Sequence, residues 1–251
     1  LSLNISREML QHDRQLKLIA DRLEKKIKSE LKGLLDKDRE KYETFYKSFG
    51  LTLKYGAYSD YGAHKDVLQD LLLFYSSSEK KLVTLEEYKG RMKEDQKYFY
   101  YACGETTEKI DRLPQTELLK DRGYEILYLT DDVDEFALKM MRDYDGKEFR
   151  SAADKDLGLE EAAETEEVKK AAEDNKELLR MMKDALEGKV SDVRLTGRLK
   201  SHPVCLSADG GISLEMEKVL NTMPGDQKVQ AQRVLELNPS HPVFETLKKL
   251  F

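Results

Sequence analysis

Three polar side chains near the start of the sequence have the chemistry of a phosphate-binding group. Asn4, Arg7 and Gln11 stand within eight residues of one another. An arginine guanidinium is always charged, and its planar fork matches the oxygens of a phosphate. A lone arginine in a first helical turn is nevertheless more often simply solvated. The residue types alone therefore favour a solvated surface, and the phosphate interpretation needs support from the rest of the chain.

A strand followed by a long helix is predicted to hold these side chains in place. Leu1, Leu3 and Ile5 alternate with polar residues, which is the period of a strand with one buried face. Ser6 is the expected N-cap of a helix that continues through Leu35. Burying four apolar side chains of its stripe would contribute roughly 6–12 kcal/mol as an upper bound. The stripe consists of Leu16, Ile19, Leu23, Ile27, Leu31 and Leu34.

Helices and strands alternate over the next hundred residues. An aromatic stripe predicts a second helix over residues 36–49, and apolar runs predict buried strands over 72–78, 98–103 and 124–129. Thr84, followed three residues later by a glutamate, has the pattern of a capping box. This alternation predicts a small, largely parallel α/β layer.

The composition changes after this layer. Residues 154–167 are acidic and poor in apolar side chains, which predicts a linker. One helix face follows within 154–189, formed by Leu178, Leu179, Met182 and Leu186. Strands are then expected near 190–195, 203–207 and 234–237, so the second part of the chain is predicted to be a small α+β domain.

Two later helices carry apolar faces. The first face is formed by Ile212, Met216, Val219, Leu220 and Met223. Methionine makes an apolar surface adaptable to varied partners, although an ordinary helix packed on a sheet has the same pattern. The second helix begins at Pro242, where proline costs little. Its face is formed by Val243, Phe244, Leu247, Leu250 and Phe251.

Composition excludes several classes of protein. The net charge of −6 argues against a general nucleic-acid binder. No run approaches the ~20 apolar residues of a membrane span. Two distant cysteines suit a reducing cytosol, so a soluble, cytoplasmic protein is expected. No glycine-rich phosphate loop and no metal-ligand spacing is present, and no metal site is predicted. The abrupt start, inside a predicted strand, suggests a piece of a longer protein.

The octet Asn4-Ile5-Ser6-Arg7-Glu8-Met9-Leu10-Gln11 resembles the catalytic loop in the middle domain of the ninety-kilodalton heat-shock chaperones. Four later segments resemble the same family: residues 72–77, 96–101, 125–131 and 233–242. The resemblance extends over essentially the whole chain, and it reverses the preference for a merely solvated Arg7.

The resemblance implies a domain organisation. Residues 1–156 would belong to the middle domain, with the end of its large lobe at 1–35, a helical connector at 36–58 and a small α/β/α lobe at 59–156. Residues 157–251 would form the C-terminal domain, cut off within its dimerisation bundle.

The resemblance also implies a function, that of a dimeric, ATP-driven clamp that remodels unfolded client proteins. Arg7 would contact the γ-phosphate of ATP held in a preceding N-terminal domain, with Asn4 and Gln11 in support. ATP and Mg²⁺ would be cofactors of the full-length protein, and the piece alone would bind no cofactor and hydrolyse no ATP. The helix after residue 211 would touch clients, and the last helix would join two subunits in a homodimer.

Two functions from other classes stay open. A helical scaffold or adaptor would have the same charge and helix content without any link to nucleotide. A stand-alone enzyme could use Arg7 to hold an anionic substrate, but it would need a general base beside Arg7, and none is evident in the neighbouring sequence.

Overall fold

The computed structural model describes residues 14–59, 62, 64–159, 164–224 and 228–251. Over these residues the chain forms a six-stranded sheet, here called the first sheet, and then a three-stranded one, called the second sheet. Helices precede, connect and follow the strands of both sheets. The predicted mixed class of helix and sheet is confirmed.

Two long helices begin the described chain, α1 (Arg14–Lys37) and α2 (Arg39–Ser59). The predicted burial of the apolar stripe of α1 is wrong for most of its length, because Ile19 is 44%, Leu23 56% and Ile27 57% exposed. Only the C-terminal end of α1 reaches the core, where Leu35 packs in one cluster with aromatic residues of α2. The period of the stripe determines which residues share a face, but not whether another element covers that face.

The first sheet and its helices occupy the chain up to residue 151. Their bounds are α3 (Lys65–Leu68), β1 (Phe74–Ser76), β2 (Leu82–Val83), α4 (Leu85–Arg91), β3 (Phe99–Cys103), α5 (Thr107–Asp111), α6 (Glu117–Asp121), β4 (Leu127–Leu129), α7 (Asp134–Met141), β5 (Asp143–Tyr144) and β6 (Lys147–Ser151). Short 3₁₀ turns precede β1 and α6, at Gln69–Leu71 and Pro114–Thr116. The predicted capping box is confirmed, with Thr84 and Glu87 exchanging hydrogen bonds at the start of α4.

The strand order of the first sheet is β2-β1-β4-β3-β6-β5. Strand β3 pairs in parallel with β4 on one side and with β6 on the other. The other three pairings of the sheet are antiparallel. The sheet is therefore mixed, and the prediction of a largely parallel layer is wrong. Two of the antiparallel pairings are hairpins, β1 with β2 and β5 with β6, and the third joins β1 to β4. Asp145 and Gly146 both have positive φ at the second hairpin, as a two-residue type I′ turn requires.

The core lies on both faces of the first sheet. Residues of β3 alternate between the two faces, so that Phe99 and Tyr101 belong to one buried cluster and Tyr100 and Ala102 to the other. Helix α7 covers the first of these faces with Ala137, Leu138 and Met141.

The second sheet follows a pair of helices. The bounds are α8 (Glu166–Asp174), α9 (Lys176–Ala185), β7 (Asp192–Leu195), β8 (Val204–Ala208), α10 (Leu214–Thr222), β9 (Arg233–Leu237) and α11 (Pro242–Leu250). Strand β9 lies in the centre, parallel to β7 and antiparallel to β8. The helix face predicted within 154–189 lies on α9, with Leu186 at its C-cap. Asn175, whose backbone leaves the helical region, separates α9 from α8.

The predicted linker over residues 154–167 is held at its start by backbone hydrogen bonds to β8. The Ala208 amide donates to the Ala153 carbonyl at 2.8 Å, and the Lys155 amide donates to the Ala208 carbonyl at 3.0 Å. The start of the segment thus pairs with β8 through its backbone and joins the two sheets. The linker was predicted from the scarcity of apolar side chains in this segment. Amino-acid composition carries no information on which backbone groups pair.

Candidate functional site

The predicted phosphate-binding residues Asn4, Arg7 and Gln11 lie outside the described residues. Their role therefore stays a prediction. The sites that can be built from geometry are the apolar faces of α10 and α11 and the contacts that join the two sheets.

The apolar face predicted around α10 is half-covered. Ser213 caps the helix, since its hydroxyl accepts a hydrogen bond from the Met216 amide at 3.0 Å. No residue of the helix itself is fully buried. Of the five predicted residues, four are half-buried and Met223 is 54% exposed. Only the C-terminal end of this face is open to a large partner, and the other four residues are partly accessible.

The N-terminal end of α10 is fastened to helix α7. The Ser213 hydroxyl donates to Glu135, a carboxylate only 3% exposed that also accepts from the Tyr101 hydroxyl at 3.1 Å. The Lys139 ammonium donates to the Gly211 carbonyl at 2.6 Å. These contacts place α10 against the first sheet although the helix belongs to the second half of the chain.

A small cavity of about 70 Å³ lies between these elements. Met216 and Val219 of α10 line one side, and Cys103, Leu129 and Phe136 line the other. The pocket is partly open to solvent, and its lining also includes acidic side chains such as Glu105, Asp131 and Glu215.

The other side of α10 is held by polar contacts to the start of β9 and to the segment before it. Glu217 accepts two hydrogen bonds from Arg233, at 2.6 and 2.8 Å, and one from the Ala231 amide at 3.0 Å. Asn221 exchanges two hydrogen bonds of 2.9 Å with the backbone of Val229. Polar groups rather than apolar burial thus fix the position of this helix.

The apolar face predicted for α11 divides into two parts. Phe244 is 3% exposed and packs with Leu195 and Leu237 in the core beneath the second sheet. Val243, Leu250 and Phe251 are 43%, 80% and 59% exposed, and Leu247 is half-buried. The geometry thus brings Phe244 into the chain's own core and leaves the end of the helix open.

A second contact between the two halves of the chain centres on Glu117, the first residue of α6. Its carboxylate accepts hydrogen bonds from the Lys200 amide at 2.6 Å and from Ser201 through both its amide and its hydroxyl. The His202 ring lies 2.8 Å away. Burial alone would raise the pKa of the Glu117 carboxyl, but these hydrogen bonds outweigh it and lower the pKa to about 2.

The Glu117 contact predicts a pH-dependent stability. Because its pKa is lower in the folded chain than in the unfolded one, the ionised carboxylate stabilises the fold fully above its ordinary pKa of 4.5. That contribution is lost as the pH falls toward 2. Urea unfolding of the parent chain and of Glu117→Gln should therefore differ most above pH 5 and converge below it. A difference that stays constant between pH 6 and pH 3 would contradict the assignment.

Two further features were sought among the described residues, a metal-binding group and a membrane-spanning helix. They contain no group of three or more histidine, cysteine, aspartate or glutamate side chains placed to hold a metal ion. In the same part of the chain, no helix combines the length and apolarity that a membrane crossing needs.

Comparison with known proteins identifies the class. The model of the family described as Hsp90 protein matches residues 1–251, so the chain belongs to the Hsp90 family. It is similar to the chaperone protein HtpG of Clostridium acetobutylicum, with 62% identity, and to that of Bacillus subtilis, with 60%. Each match covers 100% of this chain and 40% of the relative, so the chain spans about two fifths of the length of these proteins.

The resemblance of the octet and the later segments is thereby confirmed at the level of the family. Sequence reasoning missed Glu135 and Lys139 as contacts of α10. Glu135 stands in an acidic run at the start of α7, a position where carboxylates are normally expected to complement the helix dipole. Glu135 differs from an ordinary first-turn carboxylate only in being buried. That burial depends on the packing of elements distant in the sequence.

Proposed function

We propose that this chain is the middle and C-terminal part of a dimeric, ATP-driven chaperone of the HtpG type. One observation carries the proposal: the identity of about 60% to chaperones named HtpG extends over the entire chain. Relationship at this level supports a shared overall activity as well as a shared fold. The full-length protein would act in the cytoplasm on unfolded or partly folded proteins.

In this proposal the chain contributes an arginine rather than a nucleotide pocket. Arg7 would contact the γ-phosphate of ATP bound in the protein's own N-terminal domain, and Asn4 and Gln11 would support it. ATP and Mg²⁺ would be held by that domain. Without it, this chain would hydrolyse no ATP. The match of the octet to the family's catalytic loop supports this role.

The two apolar faces would serve binding. The face of α10, with its open end at Met223, would touch client proteins, and its methionines support an adaptable surface. The end of α11, with Leu250 and Phe251, would join a second subunit, as the relationship to the family supports.

A test of the client-binding part uses this chain directly. A model enzyme is heated above its unfolding temperature, and its aggregation is followed by light scattering with and without the chain. The chaperone proposal expects lower scattering at equimolar chain. A helical scaffold without chaperone activity, the alternative, would leave the scattering unchanged even at a tenfold excess.

A further inference from the structure

A buried ionic cluster lies between the two sheets, formed by Arg194, Arg198 and Glu236. The Glu236 carboxylate, on the central strand β9, is fully buried. It accepts hydrogen bonds from Arg194 at 2.5 and 3.1 Å, from Arg198 at 3.4 Å and from the Ser207 hydroxyl at 2.7 Å. Arg198 is only 1% exposed, so this is an interior cluster rather than a surface ion pair.

Both arginines reach across to the chain that leaves the first sheet. Arg194 donates to the Lys155 carbonyl at 2.9 Å, and Arg198 donates to the Asp154 carbonyl at 3.0 Å and to the Ala152 carbonyl. These carbonyls follow directly after β6. The same segment pairs with Ala208 through its backbone, so side chains and main chain join the two sheets at one place.

The arginines of the cluster have partners besides Glu236. Arg194 also lies 3.9 Å from the exposed carboxylate of Glu164, and the two guanidinium groups donate to three main-chain carbonyls. Burying charges is costly, and a buried ion pair often contributes less stability than apolar residues of the same volume. What a guanidinium adds is direction, because its donors lie in a rigid plane. The arrangement is therefore better suited to fixing a geometry than to raising stability.

We propose that Arg194, Arg198 and Glu236 are positioning residues that hold the second sheet in one orientation against the end of the first sheet. Strand β9 carries Glu236 and leads within five residues to α11, which begins at Pro242. The cluster thus determines the direction in which α11 leaves the body of the chain. This inference concerns geometry alone and stands or falls independently of the proposed chaperone function.

The test is hydrogen–deuterium exchange at the backbone amides of Lys155 and Ala208, which bridge the sheets. In Arg198→Met we expect both amides to exchange at least tenfold faster, because the guanidinium no longer holds the segment that contains their partners. Amides within β3 and β4 should keep their rates. The matched control is Arg91→Met, which removes a similar pair with the buried Glu125, at 2.7 and 2.8 Å, inside the first half of the chain. It should leave the bridging amides unchanged.

A more conservative substitution provides a second test if Arg198→Met fails to fold. Glu236→Gln keeps the shape and one acceptor but removes the charge, and we expect the same local acceleration on a smaller scale. Unchanged exchange at both bridging amides would overturn the proposal. Equal acceleration in β3, β4 and the bridge would also overturn it, because the cluster would then be an ordinary contributor to global stability.

Discussion

Replacing Arg7 by alanine in the full-length protein is expected to slow ATP hydrolysis about ten- to hundredfold. A hydrogen bond between a guanidinium and a phosphate oxygen contributes about 1.5–3 kcal/mol, and loss of that amount in the transition state corresponds to this range of rates. The measurement is the steady-state ATPase rate at saturating ATP. Thermal unfolding should hardly change, since the residue is assigned to function and not to the core.

Arg14 offers a matched control for Arg7. It is also an arginine near the start of the sequence, and its side chain is exposed at the start of α1. Arg14→Ala should leave the ATPase rate at the parent value. If Arg7→Ala is as active as Arg14→Ala, the phosphate-contacting role of Arg7 is refuted.

The second large effect is expected on client binding. Replacing Met216 and Leu220 together by serine removes two half-buried apolar side chains from the face of α10. Full burial of one such side chain contributes about 1.5–3 kcal/mol, so losing both from a binding surface should weaken affinity at least tenfold. The cost to folding should be smaller, because neither residue belongs to the buried core. Binding of an unfolded model protein by fluorescence anisotropy gives the affinity.

A matched pair of substitutions lies elsewhere on the surface. Leu51 in α2 is 60% exposed and Met181 in α9 is 47% exposed. Serine at both positions changes the same residue types without touching α10, and it should leave client affinity unchanged. A large fall in melting temperature with intact binding for the Met216 and Leu220 variant would make α10 an ordinary packed helix.

Local patterns predicted the elements of this fold well. The capping box at Thr84 involves residues three apart, and the three strands β7, β8 and β9 appear where β-prone runs were found. The capping box and the strands are determined mainly by residues close to one another in the sequence. The hairpin of β5 and β6 is also encoded locally, because Asp145-Gly146 is a sequence that favours a two-residue turn with positive φ.

Long-range contacts could not be predicted in the same way. Asp134 and Glu135 stand in the first turn of α7, where carboxylates normally complement the helix dipole. Instead Asp134 pairs with Lys54 of α2 at 2.6 Å, and Glu135 binds Ser213, 78 residues away. The sequence gives no indication of which distant groups a carboxylate will meet. The apolar stripe of α1 is a similar case. Its period shows which residues share a face, but not whether another element packs against that face.

The central claim is that this chain supplies an arginine to a nucleotide bound elsewhere. The most direct measurement adds the chain to a separately produced N-terminal ATP-binding domain from the same protein and records ATP turnover against chain concentration. The account predicts a saturable increase in turnover that is absent when the added chain carries Arg7→Ala. Turnover that does not respond to the chain, or that rises equally with the Arg7→Ala chain, would contradict it.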